Sequence, residues 1–327
     1  MGQYLGVTAG KFNPPHVGHR HLIEAARARC EELHVLVCDR ADQTIPAQQR
    51  LEWLRDASPS DVVFHLTPDD LPADDSVAWG QRALELLERR PDVAFTSEDY
   101  GDTWAEAMDC DHIRIDLPDP SPVRGTDLRA DLAAHFEHLV PAARAALARR
   151  FVLVGAESTG KTALAEHLAR HFGTVWVPEW ARTYDLGKQS EPGYDWTAEE
   201  FLLIGRQQAA MEDALARRAR AGLLFADTDP LATCVWRRRY LGDDDPALLE
   251  LASSRRPALY LLCEPDVPWV QDGTRESEPH RRSMHDDFVA TLAASGVPWV
   301  RVTGAGDDRF EAAAAAVSDL PTFDQLV

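Results

Sequence analysis

The chain has 327 residues, of which 45% are hydrophobic, and a net charge of −20. This length favours two domains, and no apolar run approaches the about 20 residues that a membrane span requires. The acidic balance argues against a general nucleic-acid-binding surface, because phosphate backbones need Lys and Arg for neutralisation. The five cysteines form no C-x-x-C pair and the N-terminus lacks a signal-peptide pattern, so we expect buried free thiols and a cytoplasmic location.

At the start of the chain, strand-like apolar runs alternate with helical patterns. The strands are predicted at residues 4–9, 33–38, 62–66, 93–98 and 113–117. This alternation predicts a doubly wound parallel α/β sheet, whose ligand site lies at the carboxyl ends of the strands. The polar residues Asn13, His16, Thr96 and Ser97 fall at those ends.

The turn after the first strand is a candidate phosphate site. Residues 10–19 read GKFNPPHVGH, with prolines just before a helix and a glycine between two histidines. His16 and His19 are three residues apart at a helix start, so they can project to one side. There they could donate hydrogen bonds to phosphate oxygens whose charge grows in a transition state. The alternative is a pair of ordinary surface histidines.

A second phosphate grip is predicted further along the chain. A Gly125-Thr126 turn followed by Arg129 places a backbone N–H, a hydroxyl and a guanidinium near one another. The Ala-rich residues 133–149 are then predicted to form one helix that connects two domains.

Residues 151–162 read FVLVGAESTGKT, which is a buried strand, a G-x-x-x-x-G-K-T loop and the start of a helical pattern. A phosphate-binding loop needs this context, because its backbone N–H groups converge on phosphate oxygens at a helix N-terminus. Lys161 would then reach the β- and γ-phosphates, and Thr162 would bind Mg²⁺. The alternative is an ordinary strand-to-helix turn rich in small residues.

Carboxylates follow two later strands. Glu179 comes directly after an apolar run at 175–178, and Asp227 and Asp229 close another run that begins at Leu223. A P-loop protein places its metal-side acid at such a strand end. A carboxylate can instead cap the next helix, which begins at Pro230, and we expect this of one of the two aspartates.

Arginines also cluster in a loop beyond a late strand. Arg275, Arg281 and Arg282 are candidates for a lid that closes on a transferred phosphate. The alternative is a solvated charged loop.

The two loops resemble known signatures. Residues 10–19 resemble the G-x-F-x-P-x-H-x-G-H motif of HIGH-type nucleotidyltransferases, and Thr126-x-x-Arg129 resembles the end of their I-S-x-T-x-x-R motif. Added to these, the P-loop, the Asp227-Thr-Asp229 segment and the P-W-V-x-D-G-x-R loop that ends at Arg275 resemble the bifunctional NadR family. The resemblance covers nearly the whole chain.

The resemblance implies two doubly wound parallel-sheet α/β domains. These are a HIGH-type nucleotidyltransferase Rossmann-like domain at 1–132 and a P-loop kinase domain at 150–327, joined by a connecting helix at 133–149. The kinase domain would phosphorylate nicotinamide riboside to NMN, and the first domain would transfer AMP from ATP to NMN, giving NAD and pyrophosphate. The expected partners are thus nicotinamide riboside, NMN, NAD and ATP as co-substrate, with Mg²⁺ as cofactor. No nucleic-acid or membrane partner is expected, and a homo-oligomer is an open alternative.

The resemblance also assigns site residues. Catalytic roles fall to His16, His19, Arg129, Lys161, Glu179 and Asp227. Nucleotide binding falls to Lys11, Phe12, Asn13, Gly18, Thr126, Gly155, Glu157, Ser158, Thr159, Gly160, Lys161, Thr162 and Arg275. Riboside binding falls to Trp180, Arg182, Trp196 and Asp229, and Mg²⁺ binding to Thr162 and Asp227. The tryptophans would stack on the cationic nicotinamide ring, with core packing as the alternative. Either Glu179 or Asp227 would accept the hydroxyl proton, and the sequence does not choose between them.

Two features depart from the family pattern. Some members carry an N-terminal helix-turn-helix repressor domain, whereas the catalytic motif here begins at residue 10, so DNA regulation is not expected. The second motif has Arg124 where the family usually has Ser, and this arginine would either supplement phosphate binding or obstruct it. The alternatives are therefore a kinase-only enzyme with a degenerate nucleotidyltransferase domain, a HIGH-type transferase for another acceptor such as pantetheine phosphate, and a non-catalytic nucleotide-sensing regulator.

Overall fold

The computed structural model describes residues 4–98, 101–117, 123–188, 195–267 and 278–320. The chain divides after Ala146 into two compact units, each built on its own five-stranded sheet. All strand pairs in both sheets are parallel, which confirms the predicted pair of α/β folds. None of the helices in these described ranges combines the length and the apolar composition that crossing a bilayer requires.

The first unit alternates strands and helices and ends in a run of short helices. Its elements are β1 (Leu5–Gly10), α1 (Val17–Arg27), β2 (Glu32–Asp39), α2 (Ala47–Ala57), β3 (Val63–Pro68), α3 (Ser76–Leu87), β4 (Val93–Thr96), α4 (Gly101–Met108), β5 (Asp111–Arg114), α5 (Gly125–Ala130), α6 (Leu132–His135), a 3₁₀ turn (Phe136–His138) and α7 (Pro141–Leu147). The strand order is β3-β2-β1-β4-β5, so the winding direction reverses between β1 and β4. Ligands of such sheets bind at this reversal, outside the carboxyl ends of the strands.

The last strand of this sheet lies earlier than predicted. We predicted residues 113–117, whereas β5 spans Asp111–Arg114. Because β5 is the edge strand and is only partly buried, it tolerates polar residues. A prediction that starts from apolar runs therefore places this strand too late in the chain.

Residues 133–149 do not form the single connecting helix that we predicted. The helix is broken by the 3₁₀ turn and by Pro141, which lacks the N–H that a continuing helix would need. Leu139 makes an antiparallel bridge with His16, and the Val140 N–H donates to the Pro15 carbonyl at 3.2 Å. The segment therefore packs on the histidine loop of its own unit. The exact domain bounds stay a prediction.

The second unit is also doubly wound. Its elements are β6 (Arg149–Val154), α8 (Lys161–His171), β7 (Val175–Val177), α9 (Trp180–Lys188), α10 (Ala198–Ala216), β8 (Leu223–Asp227), α11 (Pro230–Leu241), α12 (Pro246–Ser253), β9 (Leu259–Cys263), α13 (Glu278–Ser295), β10 (Trp299–Val302) and α14 (Gly306–Ser318). The strand order is β10-β9-β6-β8-β7. The apolar run before the P-loop thus forms the central strand, and its buried Phe151 and Leu153 belong to the core. The P-loop therefore leaves the middle of the sheet on a rigid base.

Candidate active sites in the two units

The two motif histidines lie at the start of α1. Nδ1 of His16 accepts a hydrogen bond from the Gly18 N–H at 3.2 Å, and the His16 N–H donates to Nδ1 of His19 at 3.3 Å. The two rings stack with their centroids 3.6 Å apart. Because both Nδ1 atoms accept backbone hydrogen bonds, each neutral ring carries its proton on Nε2. Each ring thus retains one N–H donor.

Burial keeps both imidazoles neutral. It lowers the pKa of His16 to about 4, and the neighbouring His138 adds to the effect. Burial also lowers the pKa of His19 well below its usual range, with His16 as the second cause. At neutral pH the pair therefore offers hydrogen-bond donors without formal charge.

A buried arginine that the sequence reasoning missed supports the histidine loop. The Arg50 side chain is fully buried on α2 and donates to the carbonyls of Ile45 at 3.0 Å, Cys38 at 3.2 Å and Lys11. It thereby ties the start of the motif to the end of β2. The only sequence signal was a charged residue on a helix face that is otherwise apolar.

The predicted second grip does reach the first motif. Arg129 on α5 donates a hydrogen bond to the Asn13 carbonyl. Thr126 on the same helix is exposed, as is the side chain of Arg124, which precedes the helix without capping it. Nζ of Lys11, in the same motif, lies 3.3 Å from a carboxylate oxygen of Asp69.

A polar chain lies at the end of β4. The Thr96 hydroxyl is 2.9 Å from Nε2 of His112, whose Nδ1 is 2.6 Å from a carboxylate oxygen of Asp102. The strand pattern predicts Thr96 as a polar strand end, whereas its partners come from β5 and α4. Their separation along the chain left no local pattern to find.

The P-loop of the second unit has the backbone shape that its motif predicts. Gly155 and Gly160 have φ angles of 138° and 80°, which residues with a Cβ rarely adopt. A Cβ on Gly155 would lie 2.7 Å from the Cys263 carbonyl oxygen. Nζ of Lys161 donates to the carbonyls of Gly155 at 3.0 Å and Ala156 at 3.1 Å, so the lysine lies across the loop.

Two arginines hold the carbonyl side of this loop. Arg281 donates to the Ser158 carbonyl at 3.0 Å, and Arg309 on α14 donates to the carbonyl of Thr159. Both guanidinium groups are buried, and Arg281 lies on α13 rather than on a lid loop as we predicted. Arg275 falls outside the described residues. No local pattern around Arg309 predicts its contact with a loop 150 residues earlier.

Asp227 and Thr162 form the candidate magnesium site. The Thr162 hydroxyl donates to Oδ2 of Asp227, while Oδ1 of this fully buried carboxylate has no hydrogen-bond partner among the described residues. An orphaned buried carboxylate oxygen beside a hydroxyl fits Mg²⁺, which prefers oxygen ligands and keeps part of its shell for water and phosphate. Within the described ranges, no group of three or more His, Cys, Asp or Glu side chains could hold a metal ion.

Glu179 lies beyond the end of β7, with different surroundings. Burial raises the pKa of Glu179, the nearby Lys161 opposes that shift, and the Asp227 carboxylate adds to it. Arg182 also opposes the rise, from a distance of 3.7 Å between its Nε and Oε2 of Glu179. The structure therefore brings Glu179, Asp227 and Lys161 into one electrostatic neighbourhood.

Asp229 acts as the helix cap. Its Oδ1 accepts from the Ala232 N–H at 2.9 Å, and its Oδ2 accepts from the Tyr260 hydroxyl at 2.6 Å. The side chain is only 2% exposed, and burial raises its pKa. Both carboxylate oxygens are thus used inside the protein, and the capping alternative describes this aspartate.

The two candidate tryptophans differ. Trp196 packs in an aromatic cluster with Phe201 and Tyr240, and Nζ of Lys188 lies 4.7 Å from its ring centroid. An internal cation therefore occupies one face of that ring. Trp180 opens α9 directly after Glu179, and its buried indole N–H has no hydrogen-bond partner among the described residues.

Comparison with known proteins agrees with the division of the chain into two units. A model described as "Cytidylyltransferase-like" matches residues 7–150, and one described as "AAA domain" matches residues 150–309. The "Trifunctional NAD biosynthesis/regulator protein NadR" of Escherichia coli strain K12 is 26% identical over 91% of this chain and 78% of its own length. The protein of the same name from Salmonella typhimurium is 26% identical over 94% and 80%.

Solved structures share the fold over the full length. A crystal structure of a NadR protein in complex with NR has a TM-score of 0.73 at 22% identity, covering 98% of this chain and 96% of the other. A NadR protein in complex with NAD and AMP-PNP has a TM-score of 0.71 at 21% identity, covering 97% and 96%. The chain is therefore similar to the NadR proteins over most of its length, and a cytidylyltransferase-like model matches its first half and an AAA-domain model its second half.

Proposed function

We propose that the chain is a bifunctional transferase of NAD biosynthesis. Its second unit phosphorylates nicotinamide riboside with ATP, giving NMN and ADP, and its first unit joins NMN to AMP from a second ATP, giving NAD and pyrophosphate. The observation that carries this is the presence of two separate phosphate sites, the stacked His16–His19 pair and the Gly155–Thr162 loop. The relatives' names and the NR, NAD and AMP-PNP complexes support the choice of substrates.

In the kinase unit, the P-loop backbone and Lys161 hold the β- and γ-phosphates of ATP. Lys161 then exchanges its two loop carbonyls for phosphate oxygens. Thr162 and Asp227 would hold Mg²⁺, which would supply positive charge to neutralise the phosphates. The 5′-hydroxyl oxygen of the riboside forms the new bond to the γ-phosphorus, and ADP leaves.

Glu179 is the proposed base that accepts the hydroxyl proton. Its raised pKa makes it more basic than an exposed carboxylate, while Lys161 and Arg182 oppose that rise and so favour the ionised form. Asp227 already accepts a hydrogen bond from the Thr162 hydroxyl, and its other oxygen would be used by the proposed Mg²⁺. The choice that the sequence left open therefore falls on Glu179 for the proton and on Asp227 for Mg²⁺.

Fewer residues are proposed to bind the riboside than the sequence resemblance implied. Trp180 and Arg182 lie on α9 beside Glu179 and remain in the proposed set. Asp229 leaves it because its carboxylate is buried against Tyr260 and the start of α11. Trp196 already contacts Lys188, Phe201 and Tyr240, so its role in riboside binding stays a prediction.

In the adenylyltransferase unit, a phosphate oxygen of NMN attacks the α-phosphorus of ATP and pyrophosphate leaves. No covalent intermediate on the protein is needed, so catalysis rests on positioning and on stabilising negative charge. The Nε2–H groups of His16 and His19, with Arg129 and Lys11, bind the phosphates. Phe12 supports the pair, because its buried ring lies edge-on to His19 at 4.9 Å between centroids.

A product time course tests this function. Purified protein with ATP, Mg²⁺ and nicotinamide riboside should form NMN first and NAD afterwards, followed by chromatography. A kinase-only protein would stop at NMN. A transferase for another acceptor would leave NMN unused but adenylylate an acceptor such as pantetheine phosphate. A nucleotide-sensing regulator would form no product, and this result would overturn the proposal.

A further inference from the structure

Gln208 is a fully buried amide in the second unit, on α10, and the proposed chemistry gives it no role. Its Oε1 accepts a hydrogen bond from the Trp180 N–H at 2.9 Å. Its Nε2 donates to the Thr228 carbonyl at 3.4 Å. The orientation of the amide follows from its partners, since a backbone N–H can only donate and a carbonyl can only accept. One side chain therefore bridges two loops that lie 48 residues apart in sequence.

Those two loops carry the two active carboxylates. Trp180 directly follows Glu179, and Thr228 directly follows Asp227. The backbone ladder between β7 and β8 ends at the pair Val177–Ala226. Both carboxylates thus lie past the end of the β7–β8 ladder, although Asp227 still pairs with Leu153 of β6, and β7 is the edge strand of its sheet. The Gln208 amide links the two strand ends at the point where the ladder no longer does.

Thr228 has an unusual backbone that this link stabilises. Its φ angle is 75°, in the left-handed region that a β-branched residue rarely adopts. Its N–H donates to the Leu153 carbonyl at 3.0 Å, while its own carbonyl turns towards Gln208. This turn aims Asp227 at Thr162 and Asp229 at Tyr260.

We infer that Gln208 is a positioning residue for phosphoryl transfer, which fixes Glu179 and Asp227 relative to each other. The inference rests on the proposed kinase function. The base must meet the riboside hydroxyl while the metal-side acid meets the nucleotide, so a shift of one strand end against the other misaligns the two reactants. Gln208 contacts neither reactant and acts only through the Trp180 and Thr228 backbones.

The matched pair Gln208→Met and Gln207→Met tests this. Methionine keeps the length and helix propensity of glutamine but removes both hydrogen bonds, and Gln207 is its exposed neighbour on α10. Gln208→Met should lower kcat for NMN formation by about 10- to 100-fold, the effect of a small misplacement of reacting groups. KM for ATP should stay within about twofold, because the P-loop is untouched. A kcat within about twofold of the Gln207→Met value would overturn the inference.

A second variant tests the inference if the Gln208→Met protein folds poorly. In Gln208→Glu, a protonated carboxyl can accept from Trp180 and donate to Thr228, whereas the ionised form cannot donate. Its kcat should therefore stay near the wild-type value at every pH at which the carboxyl is protonated, and a kcat as low as that of Gln208→Met at the acid end of the profile would overturn the inference.

Hydrogen exchange separates this inference from the proposed function. The Trp180 N–H should exchange faster in Gln208→Met than in Gln207→Met, as measured by mass spectrometry of peptides covering residues 179–182. Equal exchange would show that the Gln208 bridge, here called the clamp, does not hold the Trp180 N–H. If the wild type failed to phosphorylate nicotinamide riboside, the proposed function would fall, and exchange alone would decide whether the clamp holds.

Discussion

The Thr162 hydroxyl donates a hydrogen bond to Oδ2 of Asp227, which joins the first turn of the P-loop helix to the end of β8. The second oxygen of that carboxylate lies buried without a hydrogen-bond partner among the described residues. Two residues later, Asp229 uses both of its oxygens inside the protein. Two neighbouring carboxylates thus differ: Asp227 leaves one oxygen for the proposed metal ion, and Asp229 uses both of its oxygens in the fold.

Replacing Asp227 with Asn should weaken Mg²⁺ binding. The amide keeps the shape but loses the charge, so the Mg²⁺ concentration for half-maximal NMN formation should rise by at least about tenfold. Formation of NAD from added NMN should be unchanged. Asp229→Ala is the matched control, and it should lose about 1 to 3 kcal/mol of stability through the lost cap and the unpaired Tyr260 hydroxyl. Equal Mg²⁺ dependence in Asp227→Asn and the wild type would contradict the metal assignment.

Replacing His19 with Ala should separate the two activities. The variant loses one Nε2–H donor and the stacking partner of His16, so NAD formation from NMN should fall by about 100-fold or more. NMN formation from the riboside should be unchanged. His21→Ala on the same helix is the control, since Nε2 of that ring lies 3.2 Å from the Asp116 carbonyl and His21 is not part of the motif. Loss of both activities in a folded His19→Ala protein would refute the two-site account.

The kinase should lose activity at acidic pH as Glu179 takes up a proton. Because burial raises the pKa of Glu179, this loss begins above the pH at which an exposed glutamate titrates. Arg182 opposes the rise, so Arg182→Ala should raise the pKa further and move the acid limb of kcat to higher pH by roughly half a unit. Substrate phosphates titrate alike in both proteins, so the difference between the profiles reports the enzyme. Superimposable acid limbs would speak against Glu179 as the base.

Arg124 should prove dispensable for adenylyl transfer. Its side chain is exposed at the start of α5, where the family motif has Ser. Arg124→Ser should leave kcat/KM for NMN within about threefold, as expected of a surface substitution. Serine should also add about 1 kcal/mol of stability, because its hydroxyl can cap the helix. A tenfold gain in kcat/KM would mean that Arg124 obstructs the site, and a tenfold loss would mean that it binds phosphate.

The fold could largely be predicted because its signals are local. Apolar runs alternating with helical patterns predict parallel sheets, and each phosphate motif occupies consecutive residues between a strand and a helix. The broken segment at 133–149 could not be predicted, because Leu139 and Val140 pair with His16 and Pro15 from the other end of the unit. Such pairing overrides the helix propensity of an Ala-rich stretch.

The site was predicted only as far as its motifs reach. Arg50, Gln208 and Arg309 contact backbone groups far away in sequence, so nothing in their own surroundings marks them. The one signal that they share is a polar residue on a buried helix face, and this signal does not predict which backbone group the side chain contacts. The choice between Glu179 and Asp227 likewise required the contact with Thr162.

The central claim is that one chain uses two ATP molecules in different ways to make NAD from nicotinamide riboside. Phosphorus NMR of the reaction mixture tests this most directly, because it counts ADP and pyrophosphate together. The account predicts one ADP and one pyrophosphate for each NAD, with NMN as the transient product. Formation of ADP and NMN without pyrophosphate, or of no phosphorylated riboside at all, would contradict it.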